Sequence, residues 1–167
     1  PGIIDPSGVF DPQQADNGNG GLFTVTISYG TGTCLKTDTR DIFVGEIPTV
    51  SAGADDAVCG QDADYQLAGF SPPGGYWIGV GVDSSGLFSP LAATPGTWTL
   101  TYTYVNPITG CTNSDTKDVF VETPPVVDVG GTVTYCNSTD NITLSNYTPT
   151  GGVWNGAGIV DGLNGIF

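Results

Sequence analysis

Apolar and hydroxyl-bearing residues alternate strictly at two places in the chain. Phe23, Val25, Ile27 and Tyr29 are interleaved with Thr24, Thr26 and Ser28, and Trp98, Leu100, Tyr102 and Tyr104 with Thr99, Thr101 and Thr103. A side-chain period of two belongs to a β-strand. One large apolar face against one polar face suits a sheet with a buried and a wet side. Shorter strands are predicted at Asp41 to Gly45 and Asp118 to Glu122, at Tyr65 to Ala68 and Ile142 to Ser145, around Trp77 and Trp154, and at Gly86 to Phe88. Pro72-Pro73-Gly74-Gly75, Thr94-Pro95-Gly96, Asn106-Pro107 and Pro149-Thr150-Gly151-Gly152 supply the fixed φ of proline and the positive φ of glycine that tight turns need. No window sustains a 3.6-residue period, so essentially no helix is expected.

The alternation occurs twice because a cassette of roughly 77 residues is written twice and begun a third time. Thr37-Asp38-Thr39-Arg40-Asp41-Ile42-Phe43-Val44 returns as Ser114-Asp115-Thr116-Lys117-Asp118-Val119-Phe120-Val121. Cys34 maps onto Cys111, Pro48 onto Pro125, Cys59 onto Cys136, Leu67 onto Leu144 and Trp77 onto Trp154. Gly79 to Phe88 recurs as Gly156 to Phe167, and Gly2 to Phe10 carries the tail of an earlier copy. Both ends therefore fall within a cassette, which reads as a piece of something longer, and no targeting segment is apparent. The expected domains are 1–46, the C-terminal part of one repeat; 47–123, a complete repeat; and 124–167, the N-terminal part of a third. Short strands with this turn spacing predict an all-β chain of tandem immunoglobulin-like β-sandwich modules. Glu46-Ile47-Pro48 and Glu122-Thr123-Pro124-Pro125 read as short, stiff joins.

Charge narrows the partners. Seventeen acidic residues against three basic ones give a net charge of −14, and histidine is absent. Lys36, Arg40 and Lys117 are too few to neutralise a phosphate backbone, so nucleic acid is not expected. The apolar runs are too short to span a bilayer, so membrane insertion is not expected either. Cys34, Cys59, Cys111 and Cys136 recur at fixed cassette places with neither CxxC nor His, which favours disulfides over zinc and an extracytoplasmic setting. Two pairings are open: Cys34 with Cys59 and Cys111 with Cys136, each worth roughly 3 to 4 kcal/mol as a loop closure, or Cys59 with Cys111, leaving the outer two for partners elsewhere.

The run from Gly74 to Pro90 (GGYWIGVGVDSSGLFSP), then Thr97 to Cys111 (TWTLTYTYVNPITGC), then Asp118 to Val127 (DVFVETPPVV) and the downstream Cys136 resembles the immunoglobulin-like repeats of very large cell-surface adhesins of gliding bacteria and related type IX secretion cargo. The resemblance covers essentially the whole chain. It implies a β-sandwich stalk module, export to the extracellular face of a bacterium, and a role in attachment or in transmitting motion to a surface.

Candidate sites are few. Asp55, Asp56, Asp62 and Asp64 form the densest set of hard oxygen ligands, of the kind calcium uses at module junctions. The aligned residues Thr132, Val133, Thr139 and Asn141 do not repeat it, which favours a solvated acidic loop. Trp77 and Trp98 are sugar-stacking candidates, set against a core role for aromatics at fixed cassette positions. Asn137-Ser138-Thr139 and Asn141-Ile142-Thr143 fit the glycosylation acceptor pattern, or ordinary turn chemistry. There is no His base, GxSxG, HExxH or phosphate loop, so no catalytic residue, cofactor or enzymatic activity is expected. The expected role is a non-enzymatic structural and adhesive segment of a surface adhesin or filament, a rigid disulfide-stabilised stalk whose partners are neighbouring repeats. A carbohydrate-binding module recognising surface polysaccharide is the alternative, and self-association into a filament through strand addition is a third reading.

Overall fold

The computed structural model describes residues 8–16, 20–136 and 140–166. Asn137-Ser138-Thr139, Phe167 and the leading segment through Ser7 lie outside them. The chain divides into two compact units, 1–122 and 123–167.

The first unit opens with α1 (Pro12–Asp16), followed by an antiparallel hairpin of β1 (Gly21–Tyr29) and β2 (Lys36–Val44) joined through a 3-10 turn at Gly32–Cys34. The remaining strands are β3 (Asp56–Cys59), β4 (Tyr65–Gln66), β5 (Tyr76–Ile78), β6 (Leu87–Phe88), β7 (Gly96–Val105) and β8 (Thr112–Glu122), with α2 (Pro90–Ala93) before β7. Four of them form one sheet in the order β3-β8-β7-β5, while β4 and β6 pair in a separate antiparallel ribbon. β3 runs parallel to β8, with Cys59 in register with Glu122; the other pairs of the sheet are antiparallel.

The alternation read from sequence decides which side chains enter the core. Leu100 and Tyr102 from β7 and Val119 and Val121 from β8 are buried with Ala52, Leu67, Trp77, Phe88 and Ala93. Tyr102 makes tilted ring contacts with Trp77 at 5.0 Å and Phe70 at 4.8 Å, and Phe70 meets Trp77 edge-on at 5.8 Å, geometries that aromatic quadrupoles favour. The Tyr102 hydroxyl donates to Pro72 O and accepts from the Gly75 N–H. A buried phenol is thereby satisfied at both ends of its hydrogen-bonding capacity.

The described chain is all-β, as expected, and the finer expectations change at three places. Asp56, read with Asp55, Asp62 and Asp64 as part of a solvated acidic loop, instead opens strand β3, and the neighbouring strand takes up both acids there: Asp55 accepts from the Asp118 N–H at 2.8 Å, and Asp56 accepts from Lys117 Nζ at 2.8 Å. Two short helical turns exist. α1 is started by Asp11, whose Oδ1 accepts from the N–H groups of Gln13 and Gln14, and α2 carries Pro90 at its first turn; both starts follow ordinary capping rules in segments too short to register a period. Finally, β2 and β8 begin well before the segments predicted for them, while no regular strand forms at 142–145 or around Trp154.

The second unit is held by bridges rather than strands, and they repeat those of the complete module. Asp128 and Thr148 exchange backbone bonds as Ser51 and Ser71 do; the Leu144 N–H donates to Gly165 O as Leu67 donates to Gly86 O; the Trp154 N–H donates to Gly162 O as Trp77 donates to Ser84 O. Tyr147 meets Trp154 edge-on at 5.2 Å, as Phe70 meets Trp77. Gly86 and Gly165, both at positive φ, leave room for the indole edge: a β-carbon at either would lie 2.9 Å from the Nε1 of its tryptophan.

Candidate functional site

The four candidate calcium ligands are brought to different tasks. Asp55 and Asp56 bind β8 as described, Asp62 Oδ2 accepts from the Cys59 N–H at 2.9 Å, and Asp64 is exposed. Among the described residues no three Asp, Glu, Cys or His side chains gather to hold a metal ion. Trp77 is only 3% exposed, with Phe70 and Tyr102 against it, so neither ring face is free for a sugar. Trp98 packs against the core and donates from Nε1 to Thr94 O at 2.9 Å. All four cysteines are free thiols, and Cys59 and Cys111 stand at opposite ends of β8, a strand far longer than the separation of under about 7 Å that a disulfide spans.

One polar cluster escaped the sequence reading. Lys117, 3% exposed, points inward from β8 and is paired with Asp56, which Tyr65 Oη also approaches at 3.4 Å. Burial and the adjacent Asp56 carboxylate push the Tyr65 phenol up to about 12. Lys117 sits at the centre of an alternating strand at an inward position, between Asp115 and Val119, and that placement was the available signal. The cluster braces β3 against β8. Asp115 likewise ties down the start of the module, accepting from the Ala52 N–H at 2.9 Å, which together with the Thr116 N–H holds its carboxyl below the ordinary range.

The joint between hairpin and module is the third feature. The backbone at Gly45 runs so close to the β7–β8 turn that a β-carbon there would lie 2.7 Å from Cys111 Sγ and from Thr109 Cβ. Asn113 Nδ2 donates to Pro48 O at 2.9 Å, and Asn106 closes the turn by accepting from the Ile108 and Thr109 N–H groups. The linker is thus clamped at both ends.

No protein-family model, curated protein or solved structure matches the chain.

What remains exposed is informative. On the hairpin, Ile27 is 72% and Tyr29 86% exposed, although their cassette equivalents, Tyr102 and Tyr104, are turned into the module. In the second unit Val129 is 60% exposed where Ala52 is fully buried, and Trp154 lies beside an open groove lined by Gly156, Ile159 and Leu163. Among the described residues no helix is long and apolar enough to cross a membrane.

Proposed function

We propose that the chain is a non-enzymatic structural segment of a large extracellular adhesin or filament of the bacterial cell surface, built from immunoglobulin-like sandwich repeats that act as a stalk for attachment or gliding. The observation that carries this reading is the clamped joint: Gly45 against the Cys111 turn and Asn113 on Pro48 O. A linker held by packing and a hydrogen bond carries force along a row of modules, whereas a free linker bends under it. The high negative charge supports the same reading, since it keeps densely displayed copies apart.

Small-angle X-ray scattering tests it. A chain ending at Glu122 should give a single fixed distance distribution for hairpin and module together, and Asn113→Ala should broaden it without lowering the melting temperature. A flexible ensemble in the parent chain would refute the stalk. Glycan-array binding lost on Trp98→Ala, with the fold retained, would replace it with a carbohydrate-binding module.

A further inference from the structure

Among the described residues, the one buried charged side chain is Lys117, 3% exposed. It occupies an inward position of β8, in line with Val119 and Val121, and its Nζ stands 2.8 Å from Asp56 Oδ2. Tyr65 Oη donates to the same oxygen at 3.4 Å, and Tyr65 packs with Val58 against the core. A primary amine, a carboxyl group and a phenol thus converge where water is excluded from the lysine, while the Asp56 side chain, 35% exposed, keeps one side open. The cluster belongs to this module alone. Asp56 and Tyr65 are exchanged together for Val133 and Ile142 in the next cassette. On β2 the place of Lys117 is taken by Arg40, whose permanently charged guanidinium is no nucleophile.

We propose that Lys117 Nζ and Asp56 Cγ condense into an amide, a covalent bond between β3 and β8 within the complete module. No added reagent is needed. The hydrogen bond carries one proton from Nζ to Oδ2, which leaves an amine beside a carboxylic acid. The amine lone pair attacks Cγ, and the C=O electron pair moves onto Oδ1. Nζ then gives a second proton to Oδ2, the Cγ–Oδ2 bond breaks, and the C=O bond re-forms as one water leaves through the open side of Asp56. Ammonium and carboxylate become amide and water, so the net charge of −14 does not change. An ion pair in this place gains little over apolar packing because both charges are desolvated, and the amide removes both. Groups held this way react at effective concentrations on the order of 10⁵–10⁸ M. Tyr65 is the catalytic residue: its O–H touches Oδ2, the departing oxygen, and stabilises it as the bond breaks. The phenol, pushed up to about 12 by burial and Asp56, stays protonated for this at neutral pH.

β3 and β8 are the first and last strands of the module and run parallel, side by side. A bond between residues 61 positions apart closes most of the module into one ring. Tension entering at β3 leaves at β8 through the amide, and the strands between them, with the core they carry, are not stretched. Closing the loop also restricts the unfolded chain, so the bonded module melts higher than the ion-paired one. The ion pair is the state of a freshly folded chain, in which the side chains titrate and contribute to stability as free groups. The bond needs only three side chains of one module, and it holds whether or not the chain serves as a stalk.

Intact-mass spectrometry of the full chain, followed over days at neutral pH, should show the loss of one water molecule per chain. Trypsin, which cuts after Lys and Arg, locates it. A denatured chain without the bond is cut after Lys36, Arg40 and Lys117, whereas the bonded chain keeps residues 41–167 as one piece. Lys117→Arg leaves a cation beside Asp56 and should hold the full mass while yielding 41–117 and 118–167 as separate peptides. Tyr65→Phe should slow the loss of water by on the order of 100-fold, the usual worth of a positioned proton donor. A chain that keeps its full mass and is cut after Lys117 would overturn the inference. So would a loss of water that leaves Lys117 cleavable, as succinimide closure at Asp161-Gly162 gives, a loss that persists in Lys117→Arg, or a rate indifferent to Tyr65→Phe.

Discussion

Residues 47–122 and residues 123–166 begin with the same sequence pattern and the same backbone bonds, yet only the first acquires a core. Trp77 and Leu67 are buried where Trp154 and Leu144 are half-exposed, and β3 and β5 form beside β8 and β7, strands that residues 123–166 do not contain. The bridges of the cassette are therefore local and autonomous, while its strands depend on long-range pairing. This fits the general finding that an isolated ribbon is marginal until further strands or a packed face support it.

The sharpest way to break this comparison is to delete the same indole in both places. Trp77→Ala should destabilise the complete module by about 3–5 kcal/mol, the usual cost of emptying an aromatic site in a packed core. Trp154→Ala should cost about 1 kcal/mol, as at partly exposed positions. Urea denaturation followed by near-ultraviolet circular dichroism measures both. Equal costs would mean that residues 123–166 already hold a core of their own.

A smaller effect separates the two cations of the repeat. Lys117→Ala strands the Asp56 carboxylate, which retains some solvent, so a loss of about 1–3 kcal/mol is expected, below that of a fully buried pair. Arg40→Ala, at the equivalent exposed place on β2, should stay within about 0.5 kcal/mol. Thermal melts of the two variants decide it, and a costly Arg40→Ala would show that the hairpin face is already covered.

Legibility in the sequence followed the same division between local and long-range. The alternation of β1 and β7 and the turns around Trp77 were readable because each is a short-range pattern. β3 was not, because Asp56 is tolerable in a strand only once Lys117, far along the chain, arrives beside it. The strand predicted at 142–145 failed for the converse reason: its pattern is right, but no partner stands beside it in the described residues beyond the Thr143–Ile166 bridge. Among the candidate sites, Trp77 lies in the core, and its recurrence as Trp154 is the sequence signal that points there. Exposure of Ile27 and Tyr29 was hidden because alternation predicts a buried face without saying what buries it.

Alkaline titration should touch only the complete module. Tyr65 is raised to about 12 by burial and Asp56, and its cassette equivalent is Ile142. A raised folded pKa gives stability that is whole below the unfolded value near 10.0 and is lost as pH rises through the folded one. Stability should therefore decline from about pH 10 toward 12, and Tyr65→Phe should flatten that limb. A limb unchanged by the substitution would mean that the phenol ionises as freely in the fold as outside it.

Acid, by contrast, should act on both regions alike, and by the least. Asp83 accepts from the Ser85 hydroxyl and N–H and from the Leu87 N–H; Asp161 accepts from the Asn164 amide and from the Leu163 and Asn164 N–H groups. Led by those side-chain donors, Ser85 for one and Asn164 for the other, both carboxyls are held below the ordinary 3.8. A lowered folded pKa gives stability that is present above the unfolded value and is lost as pH falls through the folded one, so both turns should loosen below about pH 4. Asp83→Asn and Asp161→Asn should each remove a similar small part of the acid limb in amide hydrogen exchange of their own turn. The turn is closed by residues two to four positions away and needs no second half of the module. If Asp161 proved much weaker than Asp83, even this shortest-range piece of the cassette would depend on the strands that complete it.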